Sequence, residues 1–262
     1  MNRETIISTC NEANKHFIDE SLSGFPKYKY LPQWLLNQST YLKKDRVTKK
    51  RNYKIFKRGT IIYVDFGINV GNELSGNHFA IVLNNFDNAK NGLLTVVPIS
   101  SKKKPNYVPV GIIVGLQSIK HVISYSDKQQ EKLRILILAA IASGLLDGDK
   151  LSDPLIEISS KGTPLTNQEA IKKAQHFQLL CDTTEELSKK TQQLLTEIRQ
   201  SRKVFDTYKR YTKESFIMPS NIQSISKNRV KRLNKLDPIG SIKAPSEVLD
   251  KIDQSINERL IK

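Results

Sequence analysis

Cysteine is scarce: Cys10 and Cys181 are the only two in 262 residues. Neither belongs to a CxxC pair or stands at zinc-ligand spacing from a histidine, which removes the common zinc scaffolds. A disulfide between them stays open, but two ordinary thiols in a reducing cytosol suit so low a content better. Long apolar runs are missing too. The most apolar stretch, residues 135–146, falls short of the roughly 20 residues a bilayer span needs and reads as a buried helix. The opening Met1-Asn2-Arg3-Glu4-Thr5 leads into a polar stretch rather than a signal-peptide core. The expectation is a soluble, cytoplasmic chain without a membrane partner. Acidic residues are outnumbered, 26 against 42 Lys and Arg, for a formal charge of +16. Such a balance favours a polyanionic partner over a merely solvated basic surface. No internal repeat or low-complexity tract is present. Apolar residues make up 38%, enough to pack a core in one large domain or two small ones.

Residues 2–47 read as helical. Ile6, Ile7, Cys10, Ala13, Phe17 and Leu22 recur at three- and four-residue spacing. Gly24-Phe25-Pro26 breaks the pattern, and Leu31, Trp34, Leu35, Tyr41 and Leu42 form a second short helical face. A basic run from Lys43 to Arg58 reads as a linker or basic edge. From Thr60 the character changes to β-branched and aromatic. Residues 60–66, 79–83, 93–99 and 107–114 read as strands, separated by Gly- and Asn-rich turns and interrupted by Pro109. Short strands at this spacing suggest a small barrel. Helix is expected again from Ser126, with Ser126 and Gln129 as a capping box, up to a break over residues 144–154. Thr166 and Glu169 offer a second capping box ahead of a helical pattern to about Lys213, broken near Asp182-Thr183. Leu180, Leu187 and Leu194 allow a coiled-coil seam, but a helical hairpin packing on itself fits better. Phe216-Ile217-Met218 reads as a last strand. Pro245 suits a first helical position ahead of the stripe Val248, Leu249, Ile252, Ile256 and Leu260.

Several segments resemble the PemK/MazF toxin family. Arg58-Gly59-Thr60-Ile61-Ile62-Tyr63-Val64-Asp65-Phe66-Gly67 is similar to its first strand, of the type RGDIYYVDF. Asn69-Val70-Gly71-Asn72-Glu73 resembles its GSE loop, and Phe79-Ala80-Ile81-Val82-Leu83-Asn84-Asn85 the strand that follows. Val96-Val97-Pro98-Ile99-Ser100-Ser101 resembles a strand ending in Ile-Thr or Ile-Ser. The stretch from Met218 to Arg229 is similar to the type PSQIRTIDKxR, and Lys251-Ile252-Asp253-Gln254-Ser255-Ile256 to a final helix of the type KVDEAL. The resemblance covers residues 57–116 and 212–261, under half the chain. It implies an α+β fold: a small SH3-like antiparallel β-barrel, discontinuous over 57–116 and 212–262. Residues 1–56 would be a helical N-terminal extension and 117–211 a large helical insertion.

The same resemblance implies a toxin that cleaves single-stranded RNA without metal or cofactor, with a cognate antitoxin as partner and a homodimer as an open question. In such a reaction the ribose 2′-hydroxyl attacks the adjacent phosphorus. It needs a base, an acid and donors for the developing phosphorane charge. Where the family has an Arg-Pro pair, this chain has His78-Phe79; where an Arg follows Ile in the tail, it has Gln223. The family's strand-end hydroxyl is kept as Ser100. His78 is therefore the candidate general acid or base, since imidazole titrates near neutrality, unless it only hydrogen-bonds loop backbone. Ser100 positions the phosphate or is an ordinary strand-end hydroxyl. Glu73 is the second acid/base candidate or satisfies loop amides. Lys102, Lys103, Lys104, Ser101, Gln223 and Arg229 are candidate RNA contacts, with Lys231, Arg232 and Lys235 beside them, or else a solvated basic face. Tyr63 and Tyr107 could stack on bases or fill core. Asp65 is expected to pair with a Lys or backbone, and His16, His121 and His176 receive no role. Two rival readings stand: an inactive nucleic-acid-binding module that kept the fold but lost the arginines, and a regulatory protein that binds partners through its helical insertion.

Overall fold

The computed structural model describes residues 1–47, 52–232 and 235–261, without the side chains of Pro154 and Leu260. The centre of the basic run, residues 48–51, two residues of the basic tail, 233–234, and Leu260 of the closing stripe thus lie outside the described residues or side chains. Two compact units make up the chain: residues 1–114 with 213–232 and 239–262, and residues 115–212 with 233–238.

The first unit holds an antiparallel sheet of seven strands: β1 (Ile61–Asp65), β2 (Asn77–Val82), β3 (Leu93–Ser100), β4 (Val108–Gly111), β5 (Ser215–Ile217), β6 (Gln223–Ser226) and β7 (Val230–Lys231). Their order is β4-β5-β3-β2-β1-β7, with β6 also on β3. The sheet is antiparallel as expected but open, since β4 and β7 end the path. Strand β3 is long enough to take two partners along one edge: Leu93–Val96 pair with β6, Ile99 and Ser100 with β5. A one-turn helix at Pro219–Asn221 separates those partners, because proline there cannot donate to the ladder. Alternation then sorts the side chains. Ile62, Val64, Ala80, Val82, Leu94, Val96 and Ile225 pack on one face with Phe56 and Phe66. Ile61, Ile81, Val97, Ile99 and Ile217 on the other are also buried. Burial on both faces explains why the strands read as nearly unbroken apolar runs.

Helices α1 (Arg3–Leu22) and α2 (Leu31–Val47) precede the sheet. Asn2 caps α1 by accepting from the Thr5 amide at 2.9 Å. The apolar stripe of α1 is not buried: Ile6, Ile7, Phe17 and Leu22 are all exposed. The closing helix α7 (Ser246–Ile256) buries Val248 and Ile252. Pro245, expected as the first helical position, stands instead at its N-cap with ψ 156°, one residue before the helix begins at Ser246. The C-terminal segment is pinned to the β2–β3 turn by a buried ion pair, Lys227 to Asp87 at 2.7 Å, with side chains 3% and 0% exposed. Asp87 also accepts from the Phe56 amide at 2.8 Å.

The second unit is helical: α3 (Val114–Ala142), α4 (Asp153–Ser160), α5 (Asn167–His176) and α6 (Thr184–Tyr208). The expected start at Ser126 is overturned, since α3 begins twelve residues earlier and Ser126 lies inside it. Its buried stripe runs through Gly115, Ser118, Val122, Gln129, Leu133 and Leu136, and the small or polar members hide the periodicity. Gly115 is required: a Cβ there would meet the Tyr211 carbonyl at 2.5 Å. The Thr166–Glu169 capping box forms as expected. Leu187 and Leu194 join a core with Leu133, Leu136 and Ala140 of α3 and Ala174 of α5 while Leu180 stays exposed, so the seven-residue seam does not form. Tyr125 of α3 donates to Glu197 of α6 at 2.8 Å. Among the described residues no helix is long and apolar enough to cross a membrane.

Candidate functional site

His78 lies in β2 opposite Val64 of β1, on the face that carries Ala80 and Val82. The next residue, Phe79, pairs with Ile99 of β3. Continuing that antiparallel register one step sets Ser100 across from His78 on the same face. The two lead candidates, 22 residues apart in sequence, thus occupy adjoining strand ends. The His78 ring is half-buried. Its Nε2 is 3.1 Å from the Ser75 carbonyl, and its edge meets the Phe66 ring at a centroid distance of 6.2 Å. Burial lowers its pKa below the usual 6.5, against the opposing pull of the Ser75 and Ile99 carbonyls. Ser100 Oγ accepts from the Lys102 amide at 2.9 Å and turns the chain into exposed Ser101, Lys102, Lys103 and Lys104.

The loop from Gly67 to Gly76 connects β1 to β2. Asn69 holds it, its side-chain amide donating to the carbonyls of Leu74 at 2.7 Å and Phe66 at 3.1 Å. Ser75 Oγ accepts from the Asn69 amide at 3.0 Å. Glu73 is exposed in this loop, and its carboxylate has no hydrogen-bond or ionic partner among the described residues. The loop amides it was a candidate to satisfy have other acceptors: Ser75 Oγ for Asn69, the Asp65 carboxylate for Gly67, and the Gly67 carbonyl for Gly76.

Arg229 is committed to the fold in part. Its Nε donates to the Asp65 carbonyl at 2.8 Å and its Nη2 to the Phe66 carbonyl at 2.6 Å. Its guanidinium lies over the Trp34 ring of α2 at 5.1 Å. Gly67, at φ +81°, brings the backbone so close to Trp34 that a Cβ would sit 2.4 Å from the indole. Asp65 accepts from Asn37 at 3.0 Å and Tyr41 at 3.1 Å and pairs with Lys231 at 2.7 Å. Burial alone would raise the Asp65 pKa, yet the bonds from Lys231, Tyr41 and Asn37 and the Lys231 charge together hold it below the usual 3.8. Burial and Asp65 push Tyr41 up to about 12. Beside this clamp a cleft of about 460 Å³ opens between α2 and the 226–229 segment. By sequence pattern alone, Trp34 and Tyr41 read only as part of an apolar helical face. The available signal is two aromatics interspersed with Asn37, Gln38 and Asp45 on one helix.

Gln223 is half-buried in β6, and its side-chain amide stays local, 3.4 Å from the Asn221 carbonyl. Tyr63 packs against Phe79 at 4.8 Å, and Lys104 lies 5.7 Å over the Tyr107 ring. Among the described residues no group of three or more His, Cys, Asp or Glu is placed to hold a metal ion.

No curated protein matches the chain. A family model does match, over residues 57–121, a span that contains β1 to β4, the Gly67–Gly76 loop, His78 and Ser100. With an antiparallel sheet built around that span, the chain carries a domain of the family described as PemK-like, MazF-like toxin of type II toxin-antitoxin systems.

Proposed function

We propose that the chain is the toxin of a toxin–antitoxin pair, a metal-independent endoribonuclease acting on single-stranded RNA in the cytoplasm. On this reading the activity belongs to a discontinuous domain, residues 57–116 with 212–262, interrupted by the helical insertion 117–211. The observation that supports it is the β2–β3 register, which ends at Phe79 opposite Ile99 and, continued one step, sets Ser100 across from His78, next to three exposed lysines. A ring with lowered pKa is neutral near pH 7 and able to take the 2′-hydroxyl proton. The 2′-oxygen then bonds to phosphorus and the P–O5′ bond breaks. The proton now on the His78 ring, or one from water, passes to the leaving 5′-oxygen and completes the step; Glu73 is the second acid/base candidate. The products are a 2′,3′-cyclic phosphate and a 5′-hydroxyl. Ser100 orients the phosphate, and Lys102, Lys103 and Lys104 offset the phosphorane charge. The partner on this reading is an acidic antitoxin drawn to the basic surface, and a second copy of the chain is a further candidate.

One observation favours a non-cutting RNA-binding module instead: two main-chain carbonyls, of Ser75 and Ile99, already engage the His78 ring. The deciding experiment is incubation of a long unstructured RNA with purified protein in EDTA, wild type beside His78→Ala and Ser100→Ala. The wild type is expected to leave cyclic-phosphate ends, with His78→Ala slower by about 10²- to 10⁴-fold. If none of the three cuts while all bind the RNA, the binding module is the correct reading.

A further inference from the structure

We propose that the cleft between α2 and the 226–229 segment is a nucleobase pocket that takes one base of the single strand; the inference rests on the RNA reading above. Its walls are of the kind a base needs. Trp34 and Tyr41 stand 6.5 Å apart and tilted by 58°, presenting aromatic surface to the space between α2 and the tail. Edge recognition is supplied by groups the fold leaves over. Two nitrogens of Arg229 are bound to carbonyls, while its Nη1 has no partner among the described residues. The carboxamides of Gln38 and Asn228, which also line the cleft, likewise have none. Donors and acceptors from the two walls match the mixed edge of a base. They do not match a phosphate: Arg229, the one lining cation among the described residues, is partly spent on carbonyls, and Asp45 lines the same cleft.

The position suits a subsite. Phe66 belongs to both places: its carbonyl accepts from Arg229 and its ring meets His78. A base held against Trp34 therefore lies beside the segment that leads into β2 and His78. The aromatic wall comes from the N-terminal extension, outside the matched residues 57–121, so the pocket would give this chain a base preference of its own.

Trp34 is the only tryptophan, so its emission reports on the cleft directly. The full chain is titrated with each of the four ribonucleoside 5′-monophosphates, with ribose 5-phosphate as control, and with a short single-stranded RNA followed by anisotropy. Saturable quenching by nucleotides, one base preferred and ribose 5-phosphate silent, is the expected result. Gln38→Ala with Asn228→Ala should weaken it by about tenfold with an unchanged unfolding midpoint. Equal quenching by ribose 5-phosphate would overturn the proposal in favour of an anion site. Unchanged emission while the oligonucleotide binds by anisotropy would also overturn it, leaving the RNA reading intact. Quenching by nucleotides in a protein that neither binds nor cuts long RNA would keep the pocket and sink the RNA reading.

Discussion

His78 owes its protonation state to position rather than to any charged neighbour. Burial makes the imidazolium costly, and the two main-chain carbonyls recover only part of that cost. The folded ring therefore binds its proton less tightly than the unfolded one, whose pKa is about 6.5. Above that pH both states are neutral at this residue and the stability is complete. As pH falls, the unfolded chain takes up a proton that the folded ring refuses, and stability is lost toward the folded value. Asp65 and Asp87, both held below 3.8, act only in a lower window: their contribution is present above that value and disappears on acidification through their folded pKa values. Urea midpoints should therefore begin to fall for the wild type as pH drops below about 6.5, and His78→Phe should flatten that slope while leaving the steeper acid loss below about pH 4. An unchanged slope in His78→Phe would show that another group titrates there. Sequence made this residue visible because the resemblance sets His78-Phe79 where an Arg-Pro pair is expected. It could not show that Ser75 and Ile99 would enclose the ring, since one belongs to the loop and the other to the next strand.

At the scale of elements, legibility followed sequence distance. The strands β1 to β3 are contiguous apolar runs between Gly- and Asn-rich turns, so their limits could be read within a few residues. The start of α3 could not, because Gly115, Ser118 and Gln129 occupy buried positions that a hydrophobic pattern would assign to solvent. The Lys227–Asp87 pair was equally invisible: its members are 140 residues apart, separated by the whole helical insertion. Yet it joins β6 and the following turn to the β2–β3 connection, with Asp87 fully enclosed. Lys227→Met would strand a buried carboxylate and should cost about 3–5 kcal/mol. Adding Asp87→Leu should recover much of that loss, because two apolar side chains need no compensation in the same space. Denaturant unfolding of both variants checks this. A double variant no more stable than Lys227→Met would mean that the Asp87 bond to the Phe56 amide, and not the ion pair, holds the turn.

On the scale of the whole molecule, a formal charge of +16 is spread over a chain whose matched domain is only residues 57–121. Charge of that size attracts any polyanion, so binding alone says little about specificity. What separates a site from a charged surface is how few of the cations matter. Lys231 is paired with Asp65, Lys227 with Asp87, and Arg229 is bonded to two carbonyls. The tail that looked basic in sequence is thus largely engaged in holding the fold, a distinction that composition cannot make. Lys102, Lys103 and Lys104, exposed beyond Ser100, remain the cations best placed to meet a strand lying over the β2 and β3 ends. Each single-strand phosphate neutralised releases about 0.7 counterion. Replacing all three lysines by Gln should lower the log–log slope of RNA affinity against salt by roughly 2. Replacing three exposed lysines of the insertion, Lys128, Lys189 and Lys203, should change it far less. Affinities measured across a salt series for both triple variants decide the matter: equal slopes would mean that RNA is held by the diffuse charge of the whole chain, and that the strand ends around His78 and Ser100 are not where it binds.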